Sequence, residues 1–204
     1  MFHPAVSFLA KDSRLCLLRP ARSGDGAGIV EAMDRVAAEG IYIATEQVRW
    51  TPAETEEIIA SMNSSPFILV AAVDGTVVGH AFLQRGTLRK NRHTAGLGML
   101  IVEGYRSIGI GTRMMEYALE WAKREGLRKL YLSLFSTNIR AYNLYRKVGF
   151  IEEGRRREQF RLRGEPVDEI LMGLLLPEAD NDAAIREDFA GITAKQYPVM
   201  QSPQ

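Results

Sequence analysis

The sequence has 204 residues, of which 46% are hydrophobic and 25% charged, as in an ordinary globular chain. Its 26 basic and 25 acidic side chains nearly cancel, so no overall field favours nucleic acid or a membrane surface as a partner. The single cysteine, Cys16, excludes an internal disulfide, and no apolar run reaches the roughly 18 to 20 residues of a membrane helix.

The amino-terminal segment MFHPAVSFLAKD has neither a basic region nor a cleavage site, which predicts no signal peptide. A lone cysteine also fits a reducing compartment, so we expect a cytoplasmic protein. No spacing of metal-ligating residues is recognisable, and we expect no metal.

The first half of the chain predicts helices followed by an antiparallel meander. Thr51-Pro52 is a good helix start, because threonine caps and proline fits the first turn. Asp74-Gly75 is a strong hairpin turn. The predicted elements are a strand at 14–19, a helix at 25–38, a loop with a short helical piece at 39–50, a helix from 51, and strands at 66–73, 76–88 and 94–102.

The second half predicts a strand–helix–strand crossover. Apolar residues from Gly111 to Ala122 recur at helical spacing, and KLYLSLF alternates like a strand. A crossover of this length makes its two strands parallel. With a helix at 138–147 and strands at 150–163 and 167–176, we expect an α/β (α+β) domain over 14–176, a mixed sheet of about seven strands flanked by helices. Residues 1–13 and 177–204 are predicted extensions.

RSIGIG, ending at Gly111, removes side chains from a turn where a helix begins. A helix amino terminus carries unpaired N–H groups and binds phosphate. The turn therefore has two interpretations, a binding site for an anion or a simple strand-to-helix connection. Neither rival phosphate motif fits. Ile110 stands where a P-loop has lysine, and Met114 where a dinucleotide fingerprint has its third glycine.

Arg106 to Gly111 resembles the R/Q-x-x-G-x-G/A signature of the GNAT superfamily of N-acetyltransferases. About thirty residues later, NIRAYNLYRKVGF resembles the second signature of that family, N-x-x-A-x-x-L-Y-x-K-x-G-F. The resemblance covers roughly residues 14–176. It implies the GNAT fold, acetyl-CoA as co-substrate, and direct attack by the primary amine of a small molecule in a ternary complex.

The resemblance also implies the residues that hold acetyl-CoA. The strand at 94–102 would pair its backbone with the pantetheine, and an N–H near Leu100 would polarise the thioester carbonyl. Gly96 and Gly98 inside this strand suggest a bulge or a close backbone approach. The implied contacts are Met99, Leu100, Ile101, Val102, Arg106, Ser107, Ile108, Gly109, Ile110, Gly111, Thr112, Asn138, Ala141 and Tyr145.

Two catalytic roles follow. By resemblance, Tyr145 protonates the coenzyme A thiolate, and an ordinary phenol pKa near 10 keeps it protonated at neutral pH. The general base is open, because the strand at 94–102 has no carboxylate and Gly96 stands where close relatives have glutamate. We expect Glu46 in the early loop to take this role. The other candidates are His80, His93, Glu103 and a water chain.

Other functions stay open as alternatives. They are a non-catalytic acyl-CoA sensor or assembly module, a peptide N-terminal acetyltransferase, and a nucleotide-binding module resting on the glycine turn alone. RRREQFRLR is basic but has no aromatic stacking platform, so we expect a solvated or interface face and no nucleic acid. Arg155 or Arg157 there could grip an acidic acceptor. A homodimer is implied by resemblance.

Overall fold

A computed structural model describes residues 4–62 and 65–177. These residues form eight strands and four helices. The elements are β1 Val6–Leu9, β2 Leu15–Pro20, α1 Gly26–Ala38, α2 Pro52–Ala60, β3 Phe67–Val73, β4 Thr76–Arg85, β5 Thr94–Ile101, α3 Ile110–Arg124, β6 Lys129–Phe135, α4 Ile139–Lys147, β7 Ile151–Leu162 and β8 Glu165–Leu175.

The strands form one sheet in the order β1-β2-β3-β4-β5-β6-β8-β7. All neighbours are antiparallel except β5 and β6, which run parallel, as the predicted crossover requires. These two strands pair only from Thr94–Gly96 against Lys129–Tyr131. Beyond Gly96 the ladder ends, so the carboxyl-terminal halves of β5 and β6 face each other without backbone pairing.

The mixed α/β architecture is confirmed, and the differences from prediction are local. The sheet has eight strands, because β1, inside the predicted extension 1–13, pairs with β2. No helical piece occurs in the 39–50 loop; the next helix starts at Pro52. Of the predicted carboxyl-terminal extension, residues 178–204 lie outside the described part of the chain.

The predicted start of α2 is confirmed in detail. The Thr51 hydroxyl accepts from the Glu54 backbone N–H at 3.2 Å, and the Glu54 carboxylate accepts from the Thr51 N–H at 2.8 Å. This reciprocal capping box satisfies two otherwise unpaired donors, with Pro52 in the first turn. The cap therefore fixes where the 39–51 loop ends.

Helices cover both faces of the sheet. On one face, α3 buries Trp121 against Phe67, with ring centroids 4.6 Å apart and planes at 12°. On the other face, α1 and α2 pack Ile29 and Ile59 on β3. Burying a side chain of this size contributes about 1.5 to 3 kcal/mol. Among the described helices, none combines the length and apolar character needed to span a membrane.

Candidate active site

The two glycines of the turn before α3 have different roles. Gly109 is the N-cap residue and has φ of +99°, a left-handed conformation that glycine adopts without strain. Gly111 lies inside α3, where a Cβ would come within 3.1 Å of Leu144 Cδ2 and 3.3 Å of Ile101 Cδ1. Gly109 therefore shapes the bare turn, whereas Gly111 lets α3 pack closely on β5 and α4.

The Arg106 guanidinium is hydrogen-bonded and ion-paired within the protein. Its Nε donates to the Ile101 carbonyl oxygen at 2.6 Å, and its Nη1 donates to Glu39 Oε2 at 2.7 Å. The guanidinium carbon also lies 4.5 Å from the centroid of the Tyr42 ring. The Glu39 carboxylate raises the pKa of Arg106 above its ordinary value. The positive charge of Arg106 is thus matched by the Glu39 carboxylate at the end of α1.

A cleft of about 820 Å³ runs from the glycine turn to the gap between β5 and β6. It brings together residues from both signature motifs and from β5. Val102 and Ile110, also predicted to contact acetyl-CoA, are 1% and 0% exposed and do not line it. The predicted residues that do are Met99, Leu100, Ile101, Arg106, Ser107, Ile108, Gly109, Gly111, Thr112, Asn138, Ala141 and Tyr145.

The wall formed by α4 presents Asn138 and Tyr145. Asn138 is the N-cap residue, and its Oδ1 accepts from the Ala141 N–H at 3.2 Å. Tyr145 is 6% exposed, with its ring centroid 5.8 Å from that of Phe150. Burial raises the pKa of Tyr145 to about 12. Its phenol is therefore protonated at neutral pH and can donate to a group in the cleft.

The β5 backbone is arranged differently from the prediction. The register with β4 is continuous from Gly79↔Ile101 to Arg85↔Ala95, so the suggested bulge is absent. Val102 N donates to Val78 O, and the alternation of an antiparallel ladder then assigns the Leu100 backbone groups to His80. The cleft-facing backbone groups are therefore those of the odd-numbered residues, Met99 and Ile101.

The candidates for general base are dispersed. Glu46, Glu103 and His93 are exposed and do not line the cleft. His80 is 7% exposed on the α1 and α2 face of β4, where desolvation lowers its pKa to about 4. The structure thus gives Glu46, our expected base, no contact with the cleft.

A carboxylate that sequence analysis did not single out lies in the cleft wall. Glu169 on β8 is 8% exposed, and its Oε2 accepts from Arg156 Nη1 at 2.8 Å. It is the cross-strand partner of Phe135, another lining residue, whose ring meets that of Phe160 edge-on at 4.9 Å. The sequence pattern that could have indicated this residue is a glutamate directly before the apolar run ILM. Such a position predicts burial, and burying a carboxylate is unfavourable unless it has a partner or a function.

Other predicted candidates lie outside the cleft. Arg155 pairs with Glu152 and Asp168 on its own hairpin, and neither it nor Arg157 lines the cleft. Cys16 is fully buried, and desolvation raises the pKa of its thiol to about 11, which opposes a nucleophilic role. Within residues 4–62 and 65–177, no group of three acidic, histidine or cysteine side chains could hold a metal ion.

Comparison with known proteins gives consistent results. Residues 36–150 match the model of the Acetyltransferase (GNAT) family. The L-amino acid N-acetyltransferase AaaT of Escherichia coli is 29% identical over 108 residues, 51% of this chain and 65% of that protein. The N-alpha-acetyltransferase RimI of Mycobacterium tuberculosis is 33% identical over 119 residues, 56% of this chain and 70% of that protein. The chain therefore spans less than two thirds of the E. coli relative.

Solved structures show the same fold. The crystal structure of a GNAT family acetyltransferase from Streptococcus pneumoniae superposes with a TM-score of 0.75 at 28% identity. The superposition covers 79% of this chain and 99% of the other. The order of strands and helices around the cleft is thus that of a known acetyltransferase architecture.

Proposed function

The chain belongs to the Acetyltransferase (GNAT) family, and from this membership we propose that it is an acetyl-CoA-dependent N-acetyltransferase acting on the primary amine of a small molecule. One observation carries the proposal: the bare turn at Gly109 and the protonated phenol of Tyr145 line the same cleft. The amino acid and N-alpha-acetyltransferase activities named for the relatives support an amine acceptor.

The cleft fits the carrier chemically. The unpaired N–H groups at the start of α3 suit a diphosphate, since the left-handed Gly109 places no side chain in front of them. The edge of β5 beyond Gly96, which β6 does not pair, offers the N–H and C=O of Met99 and the N–H of Ile101 to the amides of a pantetheine arm, whereas the Ile101 carbonyl oxygen already accepts from Arg106. We propose that one of these N–H groups, rather than that of Leu100, polarises the thioester carbonyl.

The reaction follows from these positions. The amine nitrogen attacks the thioester carbonyl carbon, a C–N bond forms, and the C–S bond breaks with its electron pair on sulfur. Tyr145 then supplies a proton to the thiolate. A thiol with a pKa near 8.5 is a stronger acid than the Tyr145 phenol, so proton transfer from Tyr145 to the thiolate is unfavourable by itself. It must therefore be coupled to a second transfer, in which the proton that the nitrogen loses passes to the phenolate. The phenol thus relays a proton without net consumption.

We propose that Glu169 assists on the acceptor side. It is nearly buried in the cleft wall, and Arg156 occupies one of its oxygens. A carboxylate in this position attracts an amine in its cationic form and raises its local concentration. The ammonium releases one proton to solvent, and the neutral amine that results is the form that attacks the thioester. Glu169 is therefore a better candidate than the exposed Glu46 for contact with the acceptor.

The relationship to RimI favours a second acceptor class, the amino terminus of a peptide. A non-catalytic acyl-CoA sensor is less consistent with a cleft that is lined by the proton donor Tyr145. We also propose a homodimer, which light scattering on the purified chain would detect.

The central test combines binding with turnover. We expect calorimetry of the full chain to detect acetyl-CoA but not ATP, and we expect free thiol to be released only when an amine is added. Binding without release for every amine would favour the sensor. Tight ATP binding would favour the nucleotide module, and absence of heat with acetyl-CoA would remove the proposal.

A further inference from the structure

A second, smaller cavity of about 220 Å³ lies on the α1 and α2 face of the sheet; we call it the inner cavity. Its floor is formed by His80 and Phe82 of β4 and by Leu100 of β5. The roof comes from both helices and from the loop between them, including Met33 and Trp50. None of the proposed acetyl-transfer steps uses this space.

The inner cavity adjoins the cleft. The two spaces share four lining residues, Ile43, Gly98, Met99 and Leu100. Gly98 has no side chain, and a Cβ built on it would meet nothing within 4 Å. A molecule with its reactive group beside β5 could therefore extend past Gly98 into the inner cavity.

The walls of the inner cavity are almost entirely apolar. Ile29 and Met33 of α1, Ile58 of α2 and Ile68 of β3 contribute hydrocarbon, and Trp50 contributes an aromatic ring 6.3 Å from that of Phe82. Among the described residues, no Asp, Glu, Lys or Arg side chain lines it. A charged group placed there would lose its hydration without gaining a counter-ion, which is strongly unfavourable.

His80, which lines the inner cavity, has a buried ring nitrogen without a partner in the described part of the chain. Thr55 Oγ1 donates to the Thr51 carbonyl oxygen at 3.0 Å. In contrast, His80 Nδ1 is buried and makes no hydrogen bond within the described residues. Desolvation lowers the pKa of His80 to about 4, so the ring is neutral at pH 7. An unsatisfied buried nitrogen is unfavourable unless a ligand supplies the missing partner.

We propose that the inner cavity binds an uncharged, apolar side chain of the amine acceptor, and that the His80 imidazole, which lines this cavity, forms a hydrogen bond with a polar atom of the same molecule. The acceptors are then amines with a branched aliphatic, thioether or aromatic side chain, such as the apolar amino acids. Polyamines and polycationic antibiotics are disfavoured. This inference deepens the proposed function and rests on it for the identity of the reacting amine.

The first experiment compares acceptors that share a reacting group. The first comparison is between apolar amino acids (L-leucine, L-methionine and L-phenylalanine) and polar or charged ones (L-serine, L-aspartate and L-lysine). The second comparison is between the apolar amine 3-methylbutylamine and the diamine 1,4-diaminobutane. We expect kcat/KM to be at least about tenfold higher for the apolar member of each comparison, since even one buried methylene gives about this discrimination. Equal kcat/KM values across the panel would overturn the proposal.

Variants of the loop between α1 and α2 test whether the inner cavity causes the preference for apolar side chains. Thr45 lines the inner cavity, so Thr45→Phe fills part of it and should reduce kcat/KM for L-phenylalanine more than for L-serine. Gln47→Phe is the matched control, because Gln47 is exposed on the same loop and lines neither space. If the two variants change the ratio of kcat/KM for L-phenylalanine to that for L-serine equally, the side chain does not bind in this cavity.

His80→Phe separates ligand binding from a structural role. It removes the unpaired nitrogen and keeps an aromatic ring, so the thermal midpoint should stay the same or rise. The KM for the best apolar acceptor should increase about tenfold, while the affinity for acetyl-CoA stays unchanged. An unchanged KM would show that His80 does not contact the acceptor.

Calorimetry with L-leucine and L-aspartate, in the presence of coenzyme A, distinguishes failure of this inference from failure of the proposed function. If L-leucine gives a binding heat and L-aspartate does not, but no amine is turned over with acetyl-CoA, the cavity assignment is retained and the transferase is rejected. Turnover without side-chain preference would retain the transferase and reject the cavity assignment. Absence of both binding and turnover for every amine would reject both.

Discussion

Arg106 and Glu39 form an ion pair that joins the glycine turn to the end of α1, with Arg106 Nη1 donating to Glu39 Oε2 at 2.7 Å. Both side chains are mostly buried, at 13% and 21% exposure. Arg106 also donates to the Ile101 carbonyl oxygen. The arginine of the first signature therefore connects three segments around the cleft and holds the turn in position.

This geometry predicts that Glu39→Gln and Arg106→Gln have similar effects. Each should lower the free energy of unfolding by about 2 kcal/mol, because each leaves a partly buried hydrogen-bonded charge without its partner. Each should also weaken acetyl-CoA binding by loosening the turn. In a double-mutant cycle measured by urea unfolding and calorimetry, the double variant should be little worse than either single variant. Weaker binding in Arg106→Gln alone would indicate direct contact with the carrier.

Gly109→Ala tests the left-handed N-cap of α3. An alanine at φ of +99° is strained by about 1 to 2 kcal/mol, so unfolding should become easier and acetyl-CoA binding weaker. Gly164→Ala is the control, since Gly164 has φ of +88° in the β7–β8 turn and does not line the cleft. It should lose similar stability in urea unfolding but bind acetyl-CoA normally. Equal binding losses in both variants would contradict a special role for the turn.

Tyr145→Phe should lower kcat by about a hundredfold and leave the calorimetric affinity for acetyl-CoA intact, because only proton donation is lost. Since the pKa of Tyr145 is raised to about 12, the phenol stays protonated, and its ionisation should cause no loss of activity below pH 10. Tyr142→Phe, on the same helix but outside the cleft, should have normal turnover. Unchanged kcat in Tyr145→Phe would remove the residue from the mechanism.

Glu169→Gln should raise the KM for the amine about tenfold, because it replaces a charged hydrogen-bond acceptor by a neutral one. Acetyl-CoA affinity should not change. Glu153→Gln breaks a similar ion pair, with Lys129 at 2.7 Å, on the adjacent strand but outside the cleft, so its steady-state KM should be normal. A normal KM in Glu169→Gln as well would exclude acceptor contact.

His80 predicts a pH dependence of stability. Its pKa is lowered from 6.5 to about 4, so between these values the unfolded chain binds a proton that the folded chain does not. The stability contributed by the neutral ring is therefore full above pH 6.5 and is lost as pH falls, by about 3 kcal/mol near pH 4. Urea unfolding of wild type and His80→Phe should show this difference. Parallel pH profiles would contradict the burial of His80.

The family, the parallel pairing of β5 and β6, and the capped start of α2 could all be predicted because their signals are local. Glycines before a helix, apolar periodicity and Thr51-Pro52 act over a few residues of backbone. The family match and the observed sheet confirm these predictions. Of the fourteen residues that the resemblance predicted to contact acetyl-CoA, twelve line the cleft.

Only the tertiary structure decided the partners of these residues. Glu39 meets Arg106, and Glu169 enters the cleft beside Phe135, across sequence separations that no local pattern encodes. The direction of each β5 amide depends on the register with β4, and the inner cavity depends on how α1, α2 and their loop pack. Short-range propensities determined which elements form, whereas long-range packing determined which charges, amides and cavities meet.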